Sequence, residues 1–213
     1  MTNTSVICHF YNEEYLLPYW LKHHVPMFDH GVMINNGSTD RSLEIVRELA
    51  PHWDVIDSNL TGLDALMLDF LVQQQEHKLR GWKICLNVSE FLVGELKSEI
   101  SIAEKNNIRA LETTPVIMFD PTIGVELDPQ IPLVDQKPYG FNDSAIYDFI
   151  MRDQKIRKLV HYLMGKRNSY KRRARLLHDH EIGGYSIGRH NWHHNSTKTN
   201  GLKILWFGYS PNT

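Results

Sequence analysis

Two polar segments near the start of the chain have residue types suited to binding a ligand. Residues 11–14 (Tyr-Asn-Glu-Glu) follow the apolar, strand-like run 5–10, and residues 35–40 (Asn-Asn-Gly-Ser-Thr-Asp) follow a second such run, 31–34. Helical periodicity begins after each segment. Because ligands of open α/β sheets bind beyond the carboxyl ends of the strands, we expect the two segments to meet at one ligand site.

The side chains of these segments suggest how a nucleotide is held. A planar base can rest against Tyr11 while the side chain of Asn35 pairs with its polar edge. Backbone N–H groups around Gly37 and Ser38 precede a helix start, where anions are favoured. The same residue types are common in turns and helix caps, which is the purely structural alternative for the second segment.

The elements that must position these segments alternate between strand and helix. Apolar runs predict strands over residues 5–10, 31–34, 53–56 and 81–86, and helical periodicity predicts helices over residues 13–24, 40–49 and 61–77. This order predicts an α/β fold with a central, mostly parallel mixed sheet flanked by helices. On the third helix, the residues expected to face inward are Leu63, Leu66, Met67 and Phe70.

The second half of the chain has a different character. Strands are predicted over residues 108–119, with an interruption at Pro115, and over 181–190 and 203–207, with an irregular loop over 120–141. A helix is expected to begin at Asn142 or Asp143. The stretch from Arg152 to Arg175 holds ten of the 23 basic residues, and it is either a source of cations for an anionic ligand or a solvated helix face.

The overall composition excludes several classes of protein. A hydrophobic content of 42% with 23% charged residues is typical of a globular domain, and a net charge of -2 does not indicate a nucleic-acid-binding protein. Cys8 and Cys85 lie in apolar runs, so we predict two buried thiols. No apolar run approaches the ~20 residues that cross a bilayer, and no signal peptide is evident, so we expect a cytoplasmic protein.

Residues 11–14 and 35–40, at this separation, resemble the family 2-type glycosyltransferases of the GT-A fold. The resemblance covers roughly residues 4–95, and its narrower form is to the glycosyltransferases of chlorella viruses, which implies the host cytoplasm. It implies that a UDP-sugar is bound by Phe10, Tyr11, Asn12, Glu14, Asn35 and Gly37. The family usually has Asp at position 35, but an amide oxygen also accepts a hydrogen bond from uracil N3–H.

The same resemblance implies a divalent metal ion, Mn²⁺ or Mg²⁺, that bridges the diphosphate as a Lewis acid. In the family, the strand matching residues 82–86 ends in Asp-x-Asp-Glu-Phe, whose carboxylates hold the ion. Here Asn87 and Ser89 replace both aspartates, so we expect a weaker metal site that uses Glu90. Asn87, Val88 and Ser89 are expected to line the donor site. A late histidine is the other expected metal ligand: His190 first, with His193 and His194 behind it.

The resemblance also suggests a general base for the acceptor. Asp143 follows the acceptor-side loop where the family often has Glu-Asp, and it either deprotonates a sugar hydroxyl or caps a helix. Asp120 is a weaker candidate. Together with Glu90 at the metal, Asp143 completes the predicted catalytic set.

The resemblance therefore implies a transferase that moves a sugar from a UDP-sugar to a hydroxyl of a glycan acceptor. We expect a single domain over residues 1–213, with a nucleotide-binding half (1–95) and an acceptor-binding half (96–213), and further domains of a longer polypeptide are compatible with its abrupt end. Three alternatives stay open: a zinc-dependent hydrolase built on the late histidines, an inactive UDP- or sugar-binding module, and a nucleic-acid-binding protein that uses the basic stretch.

Overall fold

The structure, a computed structural model, describes residues 2–60, 62, 64–118, 127–142, 155 and 173–207. Its strands are β1 (Thr4–Phe10), β2 (His30–Asn35), β3 (Asp54–Asp57), β4 (Trp82–Asn87), β5 (Glu90–Val93), β6 (Ala110–Met118), β7 (Gly140–Asn142), β8 (Leu176–His178) and β9 (Thr197–Trp206). Its helices are α1 (Leu17–His24), α2 (Ser42–Leu49), α3 (Ala65–Lys78), α4 (Leu96–Lys105) and α5 (Leu133–Gln136).

The described strands form one mixed sheet in the order β3-β2-β1-β4-β8-β6-β9-β5, with β7 paired to β6. Strands β1 to β4 pair in parallel, and β6 with β9 is also parallel. Strand β8 is antiparallel to both β4 and β6, so it joins the two halves of the chain in one sheet. The α/β fold class with a central mixed sheet is therefore confirmed.

The helices bury both faces of this sheet. Val6, Cys8 and Phe10 of β1 belong to a large apolar cluster that also receives α1, α2 and α4. Ile7, which points the opposite way along the strand, belongs to a smaller cluster with Val72 of α3. Both cysteines are buried and free, as predicted. The carboxyl ends of β1, β2 and β4 lie side by side at one edge.

The orientation predicted for the third helix is wrong. Leu66 and Phe70 of α3 are 60% and 52% exposed, and the helix instead buries Asp69 and Glu76, seven residues apart, around Leu68 and Val72. The acidic side chains turn inward because partners from the late part of the chain lie there. Leu63 lies outside the described residues.

Other differences concern the second half. The strand predicted over residues 181–190 is wrong, because this stretch is loop and the strand that precedes it, β8, ends at His178. Helix α4 and strand β5 were not predicted. Strand β6 runs through Pro115, with a register shift between Glu112 and Thr114. Most of the basic stretch and the helix expected after Asn142 lie outside the described residues. Within the described chain, no helix combines the length and apolar character of a membrane span.

His24 is a fully buried polar link between α1 and β5. Its Nδ1 lies 2.9 Å from the Trp20 carbonyl oxygen, and its Nε2 accepts a hydrogen bond from the Leu92 N–H at 3.1 Å. The ring therefore carries its proton on Nδ1 and is neutral. Burial, with a further contribution from His23, lowers the pKa of His24 well below its usual value.

The orientation of α3 predicts that substitutions of two of its apolar residues have different effects on the free energy of unfolding. Leu68→Ala, at a position 2% exposed, should lower the free energy of unfolding by about 2–5 kcal/mol. Phe70→Gln, on the exposed face, should change it by less than about 0.5 kcal/mol. Urea denaturation of both variants measures the difference. A larger loss for Phe70→Gln than for Leu68→Ala would contradict the orientation of the helix.

The buried state of His24 predicts a loss of stability in mild acid. Below its ordinary pKa of about 6.5, the unfolded chain binds a proton at this histidine that the folded chain excludes, so the free energy of unfolding falls with pH. Urea denaturation at pH 7.5, 6.5 and 5 should show this decline, and His24→Gln should have a shallower one. Stability that stays constant or rises as the pH is lowered would contradict the assignment.

Candidate functional site

The first loop (residues 11–16) and the second loop (residues 36–41) are fastened together by hydrogen bonds. Asn12 accepts from the Thr39 N–H at 2.8 Å through its Oδ1, and its own N–H donates to Ser38 Oγ at 3.1 Å. A Glu14 carboxylate oxygen accepts from the Arg41 N–H at 3.1 Å. Asn12 and Glu14, both predicted to contact the nucleotide, therefore hold the loops in place instead of lining the space between them.

Asn35 has a comparable role at the end of β2. Its Oδ1 accepts from the Ser38 N–H and its Nδ2 donates to Asp57, both at 2.9 Å, and the residue is only 5% exposed. The amide predicted to pair with a uracil edge thus shapes the second loop in this structure. Gly37 follows with a φ of 77°, a left-handed conformation that glycine adopts without strain.

A cleft of about 630 Å³ opens between the two loops at the carboxyl edge of the sheet. Of the predicted residues, it is lined by Phe10, Tyr11, Gly37, Asn87, Val88 and Ser89. Residues that were not predicted complete its wall: His9, Glu13, Asn36, Leu60 and Gly62. The Tyr11 side chain is 55% exposed, so one aromatic face is available to a ligand. The volume falls within the range of about 300–1,000 Å³ typical of small-molecule sites.

Glu13 is an acidic residue on the wall of this cleft. Burial, with a smaller contribution from Asp40, raises the pKa of Glu13. The backbone N–H of Glu13 donates to Ser42 Oγ at 2.7 Å, so the first loop is also fastened to the start of α2.

Glu90, the predicted metal ligand, forms a buried ion pair with an arginine. Its two carboxylate oxygens accept from Arg175 Nε at 2.8 Å and Nη2 at 2.6 Å, and both side chains are almost fully buried. The same carboxylate accepts from the Asn87 N–H at 2.9 Å. Burial alone would raise the pKa of Glu90, but the adjacent positive charge of Arg175 outweighs it, and the pKa is lowered.

Arg175 also reaches His190, the other predicted metal ligand. Its Nη1 lies 3.3 Å from His190 Nδ1 and donates to the carbonyl oxygens of Gly188 and Arg189 at 3.0 Å each. The structure therefore brings Glu90 and His190 to one place, and the guanidinium group of Arg175 lies between them.

The residues around Glu90 do not fit a divalent metal ion as they stand. Asn87 accepts from Arg189 through Oδ1 at 2.9 Å and donates to Glu90 through Nδ2 at 3.2 Å, so both ends of its amide are engaged. Oxygen-rich coordination of Mn²⁺ or Mg²⁺ needs carboxylates that face the ion. Among the described residues, no group of three or more His, Cys, Asp or Glu side chains is arranged to hold a metal.

A second buried pair, Arg189 with Asp69, was missed in the sequence. Arg189 Nη1 contacts Asp69 Oδ1, and the Gly188 N–H donates to Asp69 Oδ2 at 2.7 Å. Asp69 lies on α3, so this pair fastens the late loop (residues 179–196, between β8 and β9) to that helix. The signal available in the sequence was the spacing of Asp69 and Glu76, which places two acids on one helical face.

Glu76 lies two turns further along α3 than Asp69 and fastens the same loop. It accepts from the Tyr185 hydroxyl and the Gly183 N–H, both at 2.7 Å, and lies 3.2 Å from His178 Nε2. Glu76 and His178 are fully buried. The loop after β8 is therefore positioned by two acids of α3, which is why that helix turns them inward.

The late histidines stack on one another. The rings of His180 and His194 lie 3.8 Å apart with an interplanar angle of 6°, and His178 stacks at 6.1 Å from His180. Burial, with a contribution from His194, lowers the pKa of His180 to about 4. Parallel stacking directs the ring nitrogens sideways and not toward a common point, so this arrangement gives no support to the zinc-dependent hydrolase. Asp143 and Asp120, the base candidates, lie outside the described residues.

Comparisons with known proteins give limited overlap. No protein-family model matches the chain, and no curated protein matches it. Among solved structures, TarS from S. aureus is similar over 58% of this chain and 23% of its own, with 17% identity and a TM-score of 0.40. A shorter form, TarS 1-349, is similar over 59% and 38%, with 18% identity and a TM-score of 0.41.

A third similar structure is glucosyl-3-phosphoglycerate synthase from Mycobacterium tuberculosis in complex with Mn²⁺, UDP and glucosyl-3-phosphoglycerate. It shares 12% identity and a TM-score of 0.39 over 54% of this chain and 44% of its own. In all three cases, the similarity spans less than half the length of the other protein.

The buried ion pair of Glu90 with Arg175 predicts a large loss of stability when only one of the two charges is removed. Glu90→Gln leaves Arg175 charged and buried, and should lower the free energy of unfolding by about 3–5 kcal/mol. Replacing both residues by Met should recover most of that loss, because no lone buried charge remains. The control is Glu44→Gln, whose pair with Arg41 is exposed and should contribute little to stability.

Chemical denaturation of the two single variants, the double variant and the control gives the coupling energy. A loss for Glu90→Gln no larger than that for Glu44→Gln would show that the ion pair is not formed in solution.

Proposed function

We propose that this protein is a glycosyltransferase that binds a UDP-sugar in the cleft and transfers the sugar to a hydroxyl group of a glycan acceptor. The observation that carries the proposal is the cleft itself. The two loops that resemble the donor-binding segments of GT-A glycosyltransferases form its walls, at the sheet edge where α/β proteins bind ligands, and Tyr11 is exposed within it.

The cleft offers each part of a nucleotide a matching surface. The aromatic face of Tyr11 suits the uracil ring. Gly37 lies on the wall of the cleft, just before the part of the second loop that leads into α2. Val88 and Ser89, in the turn between β4 and β5, are proposed to contact the diphosphate side of the donor.

The transfer step follows from this placement. The bond between the anomeric carbon and the diphosphate oxygen breaks, UDP leaves with the electron pair, and the acceptor oxygen forms the new bond. The hydroxyl proton passes to a general base, for which Asp143 stays the proposed residue. Its position after the acceptor-side loop in the sequence is the support for this role.

A metal ion has no step in this proposal. The sequence led us to expect Mn²⁺ or Mg²⁺ on Glu90 and His190, but both carboxylate oxygens of Glu90 bind Arg175. We therefore assign Glu90 a structural role, in which it holds Arg175 and the Asn87 backbone behind the cleft.

A UDP-binding module without catalysis is the second candidate. It is favoured because both carboxylate oxygens of Glu90 are engaged by Arg175. The two functions differ in turnover. A transferase releases UDP from a UDP-sugar in the presence of a glycan acceptor, whereas a binding module retains affinity for UDP and releases none. The single-domain organisation over residues 1–213, the cytoplasmic location and the viral affiliation stay predictions from the sequence.

Two tyrosines with equal exposure provide a matched test of the cleft. Tyr11 lines it and Tyr139 does not, and both are 55% exposed. Stacking on a base is worth about 1–3 kcal/mol, so Tyr11→Ala should weaken UDP binding by about 5- to 150-fold, while Tyr139→Ala should leave it unchanged. Isothermal titration calorimetry with UDP, once with Mn²⁺ and once with EDTA, measures both effects.

We expect wild-type affinity for UDP to differ by less than about twofold between Mn²⁺ and EDTA, since the carboxylate that would hold the ion is engaged elsewhere. UDP binding that appears only with Mn²⁺ would show that a metal ion takes part in binding the donor. No UDP binding under either condition would refute the proposed function.

A further inference from the structure

His9 is a cleft residue that neither the motifs nor the proposed reaction has used so far. It is the penultimate residue of β1, between Ile34 of β2 and Asn87 of β4, and its side chain lines the cleft. Arg189 Nη2 lies 2.9 Å from His9 Nε2. The late loop, distant in sequence, thus meets the first strand at the ligand site.

Arg189 is itself tightly held, so this contact has a defined geometry. The residue is 4% exposed, its Nη1 pairs with Asp69, and its Nη2 also donates to Asn87 Oδ1 at 2.9 Å. Gly188 and Arg189 both have positive φ values, 88° and 58°. They form a tight turn that places the guanidinium group of Arg189 against His9. The Gly188 N–H on Asp69 secures the same turn.

The chemistry of the contact fixes the protonation state of His9. A guanidinium group can only donate hydrogen bonds, so His9 Nε2 must accept with its lone pair. The ring proton then lies on Nδ1, and the imidazole is neutral. Burial, followed by the positive charges of Arg189 and Arg175, lowers the pKa of His9 to about 4, while Glu90 and a hydrogen bond with the Asn87 side chain oppose this shift. At neutral pH the ring is therefore a donor at one nitrogen only.

We propose that His9 binds the nucleotide-sugar as a neutral hydrogen-bond donor, giving its Nδ1–H to an oxygen of the diphosphate, and that Arg189 with Asp69 are positioning residues that fix its tautomer. The binding half of this proposal rests on the proposed function. The tautomer half does not, because it follows from the contact between the Arg189 guanidinium group and His9 Nε2.

Nitrogen-15 NMR of the histidine side chains tests the tautomer directly on the whole chain. Of the 12 histidines, the His9 signals are assigned by their loss in His9→Phe. The expected result at pH 7 is a protonated Nδ1 and an unprotonated Nε2 that persist until the pH approaches about 4. A protonated Nε2, or a charged ring at pH 7, would overturn the assignment.

A paired variant tests the positioning role. Asp69→Asn combined with Arg189→Gln removes the ion pair without leaving a lone buried charge. The His9 pKa should then rise toward its ordinary value, and its Nε2 should be free to carry the proton. A His9 titration unchanged from that of the wild type would show that Arg189 does not set its state.

UDP titration completes the test. Addition of UDP should shift the Nδ1 signal of His9, and His9→Phe should weaken UDP binding by about tenfold or more, the loss expected for a hydrogen bond to a charged group. His9→Gln, which retains an N–H donor, should recover part of the affinity. His30→Gln, at the amino end of β2 and away from the cleft, is the control.

The outcomes separate the two proposals. UDP binding with unmoved His9 signals and full affinity in His9→Phe would overturn the role of His9 and leave the proposed function standing. No UDP binding by the wild type would overturn both the donor role and the proposed function, whereas the NMR result at pH 7 would still decide the tautomer.

Discussion

Two buried arginine–carboxylate pairs, Arg175 with Glu90 and Arg189 with Asp69, are the interactions on which the site depends. Each pair removes two charges from water, which is costly unless the geometry is close and the remaining donors are satisfied. Arg175 meets this condition with two bonds to Glu90 and three contacts to the late loop. Because one partner of each pair comes from residues 173–207, the pairs fasten that part of the chain behind the cleft.

This arrangement changes the chemistry that the sequence motif implied. The carboxylate of Glu90 serves the fold, the amide of Asn87 links the two pairs, and the cleft presents an aromatic ring, a serine and a neutral histidine. A ligand with a planar base and a diphosphate matches these groups. The charges that shape the site lie beneath its surface, where they orient His9 and Asn87 and are themselves neutralised by pairing.

The parts of the structure that local sequence determines were predicted well. The first four strands, the three helices among them and the meeting of the two loops follow from hydrophobic periodicity and from the rule for parallel sheets. Asn35 was less predictable, because the amide that suits a uracil edge suits Ser38 and Asp57 equally well. The inward face of α3 was predicted wrongly for a different reason. Asp69 faces inward because its partner Arg189, 120 residues away in the sequence, lies there. Periodicity reports apolar stripes and contains no information about such distant partners.

A crystal structure of the protein grown with UDP and Mn²⁺ tests the central claim most directly. The account predicts a uracil ring against Tyr11, a diphosphate oxygen within hydrogen-bond distance of His9, and both carboxylate oxygens of Glu90 still bound to Arg175. Anomalous scattering would then show no manganese at Glu90. A manganese ion bound to Glu90 and to the diphosphate, with Arg175 displaced, would contradict the claim that this carboxylate is reserved for the fold.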